Sequence, residues 1–311
     1  MALLTPDCTY IMNGVIINEK IIPDGTKWIN AANAQKAGFA RGDLYKKQRR
    51  LYKNTGKAQY VTIHNTEDIL GANDDAEQYT RATYNENMGS ARVHFYVDDT
   101  CGWQNLRAGT GLCFGDPVGS AEVGWHAGDG STTDGGNMNS LALEIIMNEN
   151  PEHDAKAYDN GARIAAWLLW KHELTVDRLV THTYWVNKSA GNMFTDVDKQ
   201  CCNVVPNKKW CPLYILGSYS ADKALKNWLA FKAVVKCYLD ELNGVGDSSE
   251  AAVEVKDNTP DEWAVDSVGF AVDKRILFGD AVGDYKLHKN CSRQEMIVFL
   301  YRIYNLINNG G

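Results

Sequence analysis

Four side chains have the types and settings to do chemistry together: His64, His182 and Cys211, with Lys209 two residues before the cysteine. They stand in VTIHNT (61–66), RLVTHTYW (178–185) and KKWCPLYIL (208–216). Two imidazoles and a thiolate suit Zn²⁺, and three protein ligands leave the fourth tetrahedral position open to water, the pattern of a catalytic rather than a structural site. Taken singly, a histidine or cysteine is more often a satisfied core residue than a ligand. The flank of the first histidine favours chemistry: Tyr60-Val61-Thr62-Ile63 is an apolar, β-branched run. His64 therefore falls where a buried strand gives way to a polar loop.

The elements that must position these residues read as an α/β chain. Strand-like runs occupy 60–64, 91–97 and 140–147, with a long glycine-rich loop at 115–137. A helix near 154–173 carries Ala162, Ala165, Leu168 and Leu169 at helical spacing, so Trp167 and Trp170 read as packing residues. A second helix begins after Ser220, a capping residue type, and its spacing places Leu225, Trp228, Leu229, Val235, Leu239 and Leu242 on one face. Residues 1–57 hold the apolar stretch TYIMNGVIIN, a Pro23-Asp24-Gly25 turn and a basic, helix-like tract DLYKKQRRLYKN; they read as an N-terminal arm packed on the domain that follows. Residues 244–262 are small, acidic and proline-containing, an interdomain linker.

With 44% hydrophobic residues in 311, the chain has ample material for a globular core of nearly 200 residues plus additions. A net charge of −7 and a pI near 5.5 argue against nucleic acid as a partner. No apolar run reaches membrane-spanning length, and MALLTPDCTYIMNG lacks the basic and apolar regions of a secretory signal. The eight cysteines are not spaced as a small disulfide framework, so most are expected reduced; Cys201 and Cys202 cannot easily bridge each other, and a bridge from that pair to Cys101 or Cys113 is the open alternative.

VTIHNT, WHAGDG (125–130), SLALEI (140–145), VTH (180–182) and K-x-CP (209–212) occur in the order found in type 2 N-acetylmuramoyl-L-alanine amidases, the family of phage endolysins, bacterial autolysins and peptidoglycan recognition proteins. The chain resembles that family over roughly residues 58–243. The resemblance implies a central mixed β-sheet flanked by helices, and Zn²⁺ held by His64, His182 and Cys211. It makes Glu144 the general base, Lys209 the stabiliser of the oxyanion, and His126, Trp125 and Asn65 contacts to substrate. The reaction implied is hydrolysis of the amide between N-acetylmuramic acid and L-alanine in bacterial peptidoglycan. Some relatives use a carboxylate as third ligand, and the insertion at 189–206 offers Asp196 and Asp198 as rivals to Cys211. Val93 stands where one branch of the family has a catalytic tyrosine, which favours the glutamate version of the mechanism; His94 reads as a buried structural residue. The implied protein is a phage endolysin, made in a host cytoplasm and acting at the wall. The alternatives are a host autolysin or a non-catalytic peptidoglycan-binding protein, although recognition-only members typically lack the cysteine.

Residues 263–311 carry a different signature: Trp263, Val268 and Phe270 on one helical face, Gly279-Asp280, and a capping box, Ser292 with Glu295, opening MIVFLYRIYNL. This resembles a single S-layer homology repeat, departing from the pattern at Arg275 and Leu287. The resemblance implies a small α-helical unit that binds a secondary cell-wall polysaccharide. Because it occurs once and approaches the lower size limit for independent stability, docking or homo-oligomerisation is the competing expectation.

Overall fold

A computed structural model describes residues 4–23, 50–66, 75–85, 87–88, 91–129, 134–191, 195–204, 209–244, 258–261 and 264–274, and scattered positions from 276 to 304. It divides into two compact units, Met1–Gly246 and Asp247–Gly311.

The first unit is built on a seven-stranded mixed sheet. Its strands are β1 (Cys8–Met12), β2 (Val15–Glu19), β3 (Tyr60–Asn65), β4 (Phe95–Val97), β5 (Gly102–Gln104), β6 (Ser140–Ile145) and β7 (Leu179–Thr181), in the spatial order β1-β2-β5-β4-β6-β3-β7. β4, β6, β3 and β7 run parallel, whereas β5 is antiparallel to β4. β3 and β6 are buried nearly throughout, as central parallel strands covered on both faces are, and their polar residues are gathered on one face or at the ends. The α/β architecture with a mixed sheet and flanking helices is the one expected.

Among the described residues of this unit, the α-helices longer than four residues are α1 (Ala76–Tyr84), α2 (Pro151–Lys171), α3 (His182–Ser189), α4 (Val197–Cys202) and α5 (Ala221–Leu242). α2 opens with Pro151 in its first turn, and the Asn150 side chain accepts from the Glu152 and His153 amides, satisfying donors that the helix leaves free. Gly161 lets this helix approach β6: a Cβ there would lie 2.3 Å from Cδ1 of Ile145. The buried stripe of α5 is Ala224, Trp228, Phe231, Val235 and Leu239, and the helix packs on α2, where the rings of Tyr158 and Phe231 meet, and on α4. Leu229, expected on that stripe, is instead 46% exposed. It lies about 100° around the helix from Trp228, and Phe231 takes the inward place. Ser220 stands at the N-cap, but its side chain makes no capping hydrogen bond.

Two features of the N-terminus differ from expectation. TYIMNGVIIN is not a simple apolar stretch; it forms the β1–β2 hairpin, turning at Asn13-Gly14, both with positive φ, and β2 extends the main sheet by pairing with β5. Cys8 and Cys113 form a disulfide, against the expectation that most cysteines are reduced and in a pairing other than the alternative from Cys201 or Cys202, which are free and buried. The hairpin register carries Cys8 to the loop after β5, and that pairing has no local spacing to betray it. The basic tract lies largely outside the described residues, as do residues 245–257 of the expected linker. In the second unit, α6 (Val265–Asp273) is described, whereas Trp263, Arg275, Gly279 and the Ser292/Glu295 pair lie outside the described residues.

Candidate metal centre

His64 is the penultimate residue of β3, at the carboxyl end of the parallel strands. Its register partner on β6 is Glu144. Partners on adjacent strands share a face, so the half-buried Glu144 carboxylate projects to the same side as the His64 ring. One strand away, β7 leads directly into α3, whose first residue is His182. Thr181 caps that helix by accepting from the Tyr184 amide and donates to the Cys201 carbonyl, which fixes where His182 emerges. The rings of His64 and His182 lie 4.8 Å apart, centroid to centroid.

Thr183 brings in the third side chain. Its hydroxyl lies 3.1 Å from the carbonyls of both Lys209 and Cys211 and accepts from the Cys211 amide at 3.1 Å; its own amide donates to the Cys211 carbonyl at 3.2 Å. The K-x-C segment is thus clamped to the start of α3. Cys211 Sγ stands 3.7 Å from His64 Nδ1, and ligand atoms of His64, His182 and Cys211 all lie within 4.8 Å of one another.

This donor set fits zinc. Bonds of about 2.0–2.3 Å in a tetrahedron put neighbouring donors roughly 3.3–3.6 Å apart, close to the 3.7 Å between Sγ and Nδ1. The imidazoles have the required protonation. Burial, reinforced by His182, His126 and Lys209, holds His64 well below the ordinary histidine range, and burial together with Lys209 pushes His182 down to about 4. Both rings therefore present lone pairs at neutral pH. The exposed Lys209 is close enough for its charge to oppose protonation of both.

The other expected residues are placed as follows. His126 is buried behind His64, with its Nδ1 3.1 Å from His64 Nε2. Asn65 spends its side chain within the fold, donating to the Ile145 carbonyl and accepting from the Ile215 amide. Trp125 is partly buried against the core and pairs through its backbone with Arg92. Asp196 caps α4, and Asp198 pairs with Lys232 at 2.8 Å; among the described residues, neither joins the cluster. His94 is buried and doubly bonded, to the Glu122 carbonyl at 2.8 Å and from the Ala142 amide at 3.0 Å. Sequence reasoning passed over Thr183, Asn137, Thr62 and Ser140, whose hydroxyls and amide hold the site; only the adjacency of Thr183 to His182 hinted at any of them.

Fold and geometry together define an α/β protein with a candidate metal centre at the carboxyl ends of its parallel strands. Residues 54–213, just over half of the chain, match the family model Amidase_2, N-acetylmuramoyl-L-alanine amidase, and the chain belongs to that family. The family is zinc-dependent in general. The chain is 32% identical over 165 residues to the N-acetylmuramoyl-L-alanine amidase CwlH of Bacillus subtilis (strain 168), covering 51% of this chain and 59% of CwlH. It is 27% identical over 235 residues to CwlA of the same organism, covering 74% and 70%. The chain thus spans less than two thirds of CwlH. Among solved structures, the catalytic domain of XlyA aligns with a TM-score of 0.44 at 26% identity, covering 70% of this chain and 98% of that one.

Proposed function

We propose that this chain is a zinc-dependent N-acetylmuramoyl-L-alanine amidase that hydrolyses the amide between N-acetylmuramic acid and L-alanine in bacterial peptidoglycan. The observation that carries this reading is the convergence of His64, His182 and Cys211 with Glu144 in register beside His64. When bound, zinc polarises the scissile carbonyl and lowers the pKa of water to about 7. Glu144 takes the proton of the attacking water and passes it to the departing amine of L-alanine. Lys209 supplies positive charge to the oxygen that becomes anionic as the carbonyl is attacked. Trp125, partly exposed and next in sequence to His126, contacts the substrate in this reading.

Residues 58–243 are the catalytic domain in this reading, 1–57 an arm upon it, and 244–262 a linker. Residues 263–311 form an S-layer homology-like unit that binds wall polysaccharide or a second copy. Val265, Phe270, Leu300, Tyr301 and Tyr304 are each at least half exposed, apolar side chains open to a partner. The whole is a phage endolysin, released from the host cytoplasm to act on the wall. The zinc reading is tested by metal analysis of the purified chain and its Cys211→Ala variant. About one zinc per wild-type chain and loss of it in the variant support the reading; full zinc occupancy in Cys211→Ala overturns the ligand set.

A further inference from the structure

His126 and Gly128 of the WHAGDG motif lie against the two histidines. The Asn137 side-chain oxygen accepts from the amides of His126 and Ala127, each at 2.8 Å, which fixes this stretch of backbone. Gly128, with φ of +63°, leaves room for the His182 ring: a Cβ there would fall 2.8 Å from His182 Nε2. His126 reaches His64 through its Nδ1, at 3.1 Å from His64 Nε2.

Which nitrogen of His64 carries the proton follows from counting hydrogens along a buried chain. Trp185 Nε1 can only donate, and it donates to Thr62 Oγ1 at 2.8 Å. The single Thr62 hydroxyl proton goes to Ser140 Oγ at 2.8 Å, and the Ser140 proton goes to the Gly136 carbonyl at 2.7 Å. Both hydroxyl protons are committed, so Ser140 Oγ, 3.4 Å from His126 Nε2, has only a lone pair to offer. His126 therefore carries its proton on Nε2 and presents a bare Nδ1. Only His64 Nε2 faces that lone pair, so it must hold the His64 proton. His64 Nδ1 is then bare, on the side of Cys211 Sγ. Thr62, Ser140, Trp185 and His126 are all buried, so bulk water is excluded from the chain.

We propose that His126 is a positioning residue for the metal centre: its Nδ1 accepts the Nε2 proton of His64 and locks His64 in the tautomer that presents Nδ1 to the ion. The inference rests on the zinc reading above, but its first test does not. In the full-length, metal-free protein labelled with ¹⁵N-histidine, long-range ¹H–¹⁵N correlations at neutral pH are expected to show His64 protonated at Nε2 and bare at Nδ1. The reverse tautomer overturns the proposal, whether or not zinc binds.

The second test is zinc affinity by competition with a chromophoric chelator. His126→Ala is expected to bind zinc about 10–100-fold more weakly than wild type, the usual effect of removing the partner that orients a metal-ligating histidine. His126→Asn, whose side-chain oxygen stands near the position of Nδ1, is expected to recover most of that loss. Wild-type affinity in His126→Ala overturns the proposal. If that variant does not fold, the wild-type tautomer decides. Failure of the wild-type chain to bind zinc overturns the zinc reading itself and is read separately from the tautomer.

Discussion

Replacing Thr183 by valine tests whether the clamp between α3 and the K-x-C segment holds the site together. Valine keeps the branched shape and removes the hydroxyl. The lost donation to the Lys209 and Cys211 carbonyls costs about 0.5–1.5 kcal/mol, and stranding the buried Cys211 amide costs about 1–3 kcal/mol more. A loss of roughly 1.5–4.5 kcal/mol is expected in urea unfolding of the full chain, measured with chelator present so that metal binding does not enter. Thr183→Ser retains the hydroxyl and is expected to keep most of the stability. With metal restored, Thr183→Val is expected to bind zinc on the order of tenfold more weakly, because Cys211 is no longer held. A change below about 0.5 kcal/mol, or equal losses in the valine and serine variants, would refute the reasoning, the latter because retaining the hydroxyl would then make no difference.

Three further outcomes are expected. Glu144→Gln should retain zinc but lose about 10²–10⁴-fold in amide hydrolysis, read as new amino termini released from purified peptidoglycan. Burial, then Asp116 and Asp7, raise Glu19 to about 7 against the opposing Arg107. A carboxyl raised on folding contributes stability that is complete below its unfolded value near 4.5 and is lost as pH rises through about 7. Glu19→Gln, which mimics the protonated form, should therefore flatten the dependence of Tm on pH across that window and leave the variant more stable than wild type above it; an unchanged profile would contradict this. Finally, the Cys8–Cys113 bridge closes a separation of 105 residues, so the double serine variant should lose up to about 4.7 kcal/mol on chain-entropy grounds, checked by unfolding under non-reducing conditions.

Much of the site was legible because its chemistry sits at element ends. The apolar run before His64 marked a strand, SLALEI marked its neighbour, and the parallel register then placed Glu144 beside His64. The face of α5 was readable too: helical spacing puts Phe231, three residues after Trp228 and four before Val235, on the buried line and Leu229 off it. Asn13-Gly14 between two apolar runs was a readable hairpin signal. The Cys8–Cys113 bridge and the Trp185–Thr62–Ser140 chain were not readable. They join residues 105, 123 and 78 apart, and nothing in local spacing encodes a contact at that range.

The central claim is tested most directly by digesting purified peptidoglycan with the zinc-loaded full chain and identifying the products by mass spectrometry. The expected products are free stem peptides beginning with L-alanine and glycan strands with intact reducing ends, formed by the wild type, and abolished by chelation and in Cys211→Ala. Digestion that continues in Cys211→Ala, or cleavage within the glycan or at the peptide cross-links in place of the lactyl amide, would contradict the account.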